Sequence, residues 1–131
     1  MVSVLSLAVI VGVQAGSVAA LTATPNILHG QADFRHNCLM CHTVNEGEPN
    51  KIGPNLYGVV GRKAASLPNF HYSAVMRASN LTWTPDVLST YLRDPKKLVP
   101  GTFMTFRGFM DPIDIRDIVG YLATRKPAPA S

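Results

Sequence analysis

The chain has 131 residues, one domain's worth, which leaves no room for a separate catalytic domain beside a binding domain. Its 12 Lys and Arg outnumber its 8 Asp and Glu only modestly, and no basic stripe interleaved with aromatics suggests nucleic acid as a partner. Glycine-rich phosphate loops, Ser/His/Asp arrangements and internal repeats do not appear either.

Residues 1–24, MVSVLSLAVIVGVQAGSVAALTAT, have no charged side chain and supply much of the 47% hydrophobic content. Val2 to Val13 is an apolar run of export-signal length, and Val18-Ala19-Ala20 is a small-x-small cleavage signal. The positively charged start of a signal peptide is missing, and the run approaches the roughly 20 residues that span a bilayer, so an uncleaved anchor stands beside the cleaved leader. With no arginine before Arg35, the segment does not suit a mitochondrial presequence. The expected division is a leader or anchor over 1–24, one domain over 25–125, and a flexible Pro/Ala tail over 126–131.

Past the leader about 107 residues remain, a size short of apolar core that a large apolar cofactor would help complete. Ile27, Leu28, Phe34 and Cys38 recur near helical spacing behind a capping Asn26, which predicts a helix running from Ile27 to Cys41. From Thr43 to Asn69 the chain reads as loop, punctuated by Gly47, Pro49, Gly53, Pro54, Gly58, Gly61 and Pro68. A short helix follows over Ser73 to Ala78. Thr84-Pro85-Asp86 then sets a capping hydroxyl, a proline at the first helical position and an acid in the first turn, ahead of a stripe of Val87, Leu88, Tyr91 and Leu92. Asp94-Pro95 starts another short turn through Lys97, and Pro100-Gly101 opens a loop to Met110. The same start signal recurs at Asp111-Pro112, with Asp114 in the first turn and Ile115, Ile118, Val119, Tyr121 and Leu122 as the buried side. No strand pattern of any length interrupts this all-α reading.

The two cysteines fall in Cys38-Leu-Met-Cys41-His42. A disulfide there closes a tiny loop and staples almost nothing. A redox dithiol of the thioredoxin kind needs a strand and a parallel sheet, and structural zinc needs a second ligand pair that His29, His36 and His71 do not form. On a helical turn, positions i, i+3 and i+4 share a face, so Cys38, Cys41 and His42 can address one object: two thiols bonded to a haem and an imidazole on its iron. The pentapeptide alone is strong but not decisive. Met40 reads as a spacer.

From about His29 to Leu122 the chain resembles the class I c-type cytochromes, close to mitochondrial cytochrome c and its bacterial periplasmic relatives. The resemblance is carried, in order and with matching separations, by CLMCHTV, GPNLYGVVGRK, FHYSAVM, LTW, YLRDPKKLVPGTFM and DIVGYL. It implies an all-α class I cytochrome c fold, short helices and long loops wrapped around one covalent haem c, with the first and last helices crossing at Gly30, Phe34, Ile118 and Tyr121. It also implies that Cys38 and Cys41 bind the haem, that His42 and Met104 are the axial metal ligands, and that Pro54 accepts the other ring proton of His42. Arg62, Tyr72, Trp83 and Thr102 would serve the haem propionates, with Tyr91 near the Met104 sulfur. A neutral soft sulfur favours ferrous iron, and filling both axial positions suits a carrier better than a catalyst.

The function so implied is one-electron shuttling between respiratory or photosynthetic redox complexes, without enzyme activity, by an exported, periplasmic monomer. The membrane enters only if the leader stays as an anchor on the outer face of the inner membrane. Partners would dock transiently at the haem edge through Lys51, Lys96 and Lys97. Where mitochondrial members carry lysines, this chain places Asn37, Phe103, Met110 and Asp111, a less basic and more apolar face. Two other readings stay open: a haem peroxidase or gas-binding sensor in which Met104 is labile, and a dedicated haem subunit tethered to one membrane complex.

Overall fold

A computed structural model describes residues 22–129, so the leader or anchor read over 1–24 falls almost wholly outside the described residues. The described chain forms five helices: α1, Ile27–Asn37; α2, Ala74–Ala78; α3, Pro85–Arg93; α4, Pro95–Leu98; and α5, Pro112–Thr124. The β structure among the described residues is one isolated bridge, Lys63 to Thr82. No described helix is long and apolar enough to cross a membrane.

The local start signals act as their chemistry dictates. Thr84 Oγ1 accepts from the Val87 amide at 3.2 Å, Asp94 Oδ1 from Lys97 at 3.1 Å and Asp111 Oδ1 from Ile113 at 2.8 Å, each ahead of a proline whose absent N–H costs nothing at a helix start. Ser73 caps α2 and Asn26 caps α1 in the same way.

The first helix is shorter than its periodicity suggests. It ends at Asn37, where the Phe34 carbonyl takes both the Cys38 amide at 2.8 Å and the Leu39 amide at 3.0 Å, and Cys38 turns to a φ of −121°. A separate turn follows, with the Cys41 and His42 amides both on the Cys38 carbonyl, at 3.0 and 2.9 Å. Cys38 is therefore the cap of α1, and Cys41 and His42 belong to the turn that follows it.

The core is organised by the crossing of α1 and α5. Phe34 and Ile118 are fully buried, and the rings of Phe34 and Tyr121 meet with centroids 5.7 Å apart. Gly30 permits the approach: a Cβ there would collide with the Asp117 carbonyl oxygen. Gly30→Val is expected to lower stability by at least about 2 kcal/mol, because the obstacle is backbone and cannot rotate away. Chemical unfolding reads this directly, and an unchanged midpoint would mean that the helices re-seat without loss.

α3 lies against α4 and α5, burying Leu88, Tyr91 and Leu92. The strap from Val99 to Met110 returns to α3, where the Phe109 amide reaches the Leu92 carbonyl at 2.8 Å and the buried Phe109 ring packs on Phe106. That anchor places Thr102 and Met104 beside the core.

Candidate functional site

Cys38 and Cys41 are free, half-buried thiols at the start and end of the turn that follows α1. Two bonds fasten this turn to the following loop: Lys51 Nζ donates to the Leu39 carbonyl at 2.6 Å, and the Gly53 amide to the Cys41 carbonyl at 2.7 Å. Burial, with smaller contributions from Asp33 and Cys41, pushes the Cys38 thiol up to about 12. Among the described residues neither cysteine joins a cluster of three His, Cys, Asp or Glu side chains able to hold a metal, so the zinc reading finds no ligand set.

His42 is oriented by its neighbours. Its Nδ1 lies 2.7 Å from the Pro54 carbonyl, which can only accept, so Nδ1 carries the proton and Nε2 keeps its lone pair. Burial lowers the imidazole pKa, opposed by the Pro54 bond and assisted by the Lys51 charge, which favours the neutral ring. Gly53 lies directly against the ring; a Cβ there would strike Cε1 and Nδ1. This glycine, read from sequence only as half of a turn, lets the loop close on the imidazole.

On the strap, Met104 is half-buried and packs against the core. Its amide leans on Thr102 Oγ1 at 3.4 Å, and the same hydroxyl meets Tyr91 Oη at 3.0 Å. Tyr91 therefore pairs with Thr102, two residues from the thioether with which the sequence associates it. Burial raises the Tyr91 phenol pKa against the opposing effect of the Thr102 bond. Trp83 is buried with its ring centroid 5.0 Å from that of Tyr91, so Trp83, Tyr91, Thr102 and Met104 form one continuous wall.

Arg62 and Tyr72 have side-chain partners of their own. The Arg62 guanidinium donates to the Tyr57 and Asn55 carbonyls at 2.9 and 3.1 Å, tying it to the loop just past Pro54, and burial lowers its pKa. Its backbone carbonyl takes the Trp83 amide at 2.8 Å, which connects this loop to the wall. Tyr72 is half-buried against the core and meets Phe70 edge-on, with centroids 4.8 Å apart.

Asn55, which sequence reasoning passed over, holds the loop together: its amide group donates to the Asn45 and Glu48 carbonyls at 2.9 and 2.8 Å. A single asparagine after Gly-Pro gives no local sign of such a role.

Two free thiols and an oriented imidazole with an unused lone pair share one turn. A thioether and a wall of hydroxyl and indole donors occupy other segments of the same core. This donor set fits a covalently attached haem, with thiols for its vinyl groups and nitrogen and sulfur for its iron.

A family model described as cytochrome c matches residues 27–126. The chain is 46% identical over 99 residues to cytochrome c2 of Rhodopila globiformis, covering 76% of this chain and 92% of that one. It is 39% identical over 110 residues to cytochrome c2 of Blastochloris viridis, covering 84% and 85%, and 38% identical over 105 residues to cytochrome c of Arabidopsis thaliana, covering 80% and 94%. On the attachment turn, the all-helical fold and these similarities together, the chain belongs to the cytochrome c family of electron carriers that bind haem c covalently.

Proposed function

We propose that the protein is an exported, monomeric one-electron shuttle, with haem thioethers at Cys38 and Cys41 and axial ligation by His42 and Met104. The observation that carries this reading is the 2.7 Å contact from His42 Nδ1 to the Pro54 carbonyl, which fixes the ring and reserves Nε2 for the iron. When bound, the haem supplies a reversible one-electron iron couple. The polypeptide does the rest. The Met104 thioether, a soft neutral donor, would ligate the iron, raise its potential and leave it no free position for a substrate. Tyr91 and Thr102 brace the strap that carries it. Arg62, Tyr72, Trp83 and Thr102 are the donors for the propionates, which need partners wherever they leave water. Lys51, Lys96 and Lys97 are exposed and available to steer partners that bind briefly. Residues 1–24 direct the chain to the periplasm, where it moves electrons between respiratory or photosynthetic complexes.

Oxidised protein at neutral pH is expected to show the far-red sulfur-to-iron charge-transfer band, and Met104→Ala to abolish it and lower the potential. A parent protein without the band would favour an enzyme or sensor with a labile sixth ligand.

A further inference from the structure

Away from the cysteine turn, one histidine collects three carboxylates where α1 meets α5. His29 Nδ1 lies 2.8 Å from Asp117 Oδ2 and 3.8 Å from Asp33 Oδ2, while its Nε2 lies 3.8 Å from Asp114 Oδ1. One ligand atom each from His29, Asp33 and Asp114 can be chosen so that all lie within 4.8 Å of one another. The group joins two helices, because His29 and Asp33 stand at i and i+4 on α1 and Asp114 stands in the first turn of α5.

Two features separate this group from an ordinary acidic surface. The first is the orientation of the imidazole. Asp117 is 1% exposed and its carboxylate only accepts, so Nδ1 keeps its proton toward Asp117 and Nε2 is the nitrogen free to bind a metal. A carboxylate behind the ring is the support that metal-ligating histidines have: it fixes the ring and makes the outer nitrogen a better donor. The second feature is Asp33. Its Oδ2 is buried without a hydrogen-bond partner, withdrawn from water and offered only the imidazole at 3.8 Å. Burial raises the Asp33 carboxyl pKa, opposed by His29 and assisted by Asp114 and Asp117, so a cation here meets more negative charge than the imidazole balances.

We propose that His29, Asp33 and Asp114 hold one divalent transition-metal ion of the zinc class, with Asp117 as the positioning residue behind the imidazole and water completing the coordination. Imidazole together with carboxylates suits zinc and its neighbours, whereas calcium and magnesium take oxygen ligands. Ligand atoms sharing one zinc stand roughly 3.4 Å apart, so the group contracts a little on binding. The His29 and Asp114 side chains, 42% and 32% exposed, have the freedom to do so. The bound ion ties α1 to α5, and it does so whether or not the protein carries electrons.

Zinc would be titrated into the reduced, haem-loaded, ¹⁵N-labelled full-length protein, with chemical unfolding followed in parallel. One equivalent is expected to shift the His29 ring resonances and amides within 26–33 and 112–117, and to raise the unfolding midpoint. Calcium at the same concentration should do neither. Asp114→Asn should weaken zinc binding at least about tenfold, and His29→Gln at least as much. The double variant His36→Gln, His71→Gln, which removes two exposed imidazoles elsewhere, should bind as the parent does. No binding at millimolar zinc, binding that persists in His29→Gln and Asp114→Asn, or binding lost in the His36 and His71 double variant would overturn the proposal.

Discussion

Replacing Cys38 and Cys41 together by serine is expected to leave a polypeptide whose mass is that of the chain alone and whose helical signal falls by more than about half. The five helices span 11, 5, 9, 4 and 13 residues, lengths at which isolated helices are marginal in water, so they persist only by packing. That packing is incomplete: Met104, Tyr72, Cys38 and Leu56 are only partly buried against the protein core, and in the proposed haem protein the cofactor would cover the rest. Without the haem their unburied portions meet solvent, and a domain of this size has little reserve. Intact protein mass and far-UV circular dichroism check the two halves of the expectation. Full helicity in the serine variant would show that the polypeptide folds without its cofactor.

The second large effect is predicted at Asp117. This carboxylate, 1% exposed in the heart of the α1–α5 crossing, accepts from the Asn26 amide at 3.0 Å, His29 Nδ1 at 2.8 Å and Arg116 Nε at 2.7 Å. Asp117→Ala removes the shared acceptor while its donors remain, which costs on the order of 3 kcal/mol for a buried, partnered charge. Unfolding midpoints of the haem-loaded variant test it, and a loss under about 1 kcal/mol would mean that the crossing is held by its apolar contacts alone.

The same carboxylate makes the crossing sensitive to pH. His29 is raised above its ordinary 6.5 by the Asp117 bond and then by the Asp33 charge, with Asp114 adding a little. Its contribution is present in full below 6.5 and is lost as pH rises through the higher folded value. For Asp117, burial works upward, but the bonds from Asn26, His29 and Arg116 outweigh it and hold the carboxyl below its ordinary 3.8. That contribution is present above 3.8 and disappears as pH falls through the lower folded value. The crossing is therefore strongest between the two ranges, and stability should decline as pH rises above 6.5 through the raised folded value of His29. His29→Gln should flatten that alkaline arm, and an identical slope in both proteins would exclude the imidazole.

What the sequence disclosed followed the range of the forces involved. Thr84-Pro85 and Asp111-Pro112 were legible because a cap and a proline act within one turn, and the structure places both helices where those signals stand. The end of α1 was not legible. No glycine or proline marks it, and the periodicity of Phe34 and Cys38 continues through a boundary set by two amides competing for one carbonyl. Asp117 was hidden for a different reason: an acid among Ile115, Ile118 and Val119 looks like an exposed position until Asn26 and His29 arrive from the other end of the chain. His29, which makes no zinc pair, proved to belong to this cluster. At the site, the turn from Cys38 to His42 was readable from spacing. The hold of Gly53 on the imidazole and the bonds from Arg62 to Tyr57 and Asn55 depend on how a long loop folds back on itself.

The bond between Asn26 and Asp117 joins residues 91 positions apart, and this separation sets a clock for the newborn chain. Roughly 80 residues must follow Cys38 before Asp117 exists, which at ribosomal speed is about 4 to 16 seconds. Throughout that interval α1 has no partner helix, and the turn that carries the two thiols has only its local bonds to Lys51 and Gly53 to hold it. Any machinery that moves or modifies the chain can therefore reach those cysteines before the α1–α5 crossing forms.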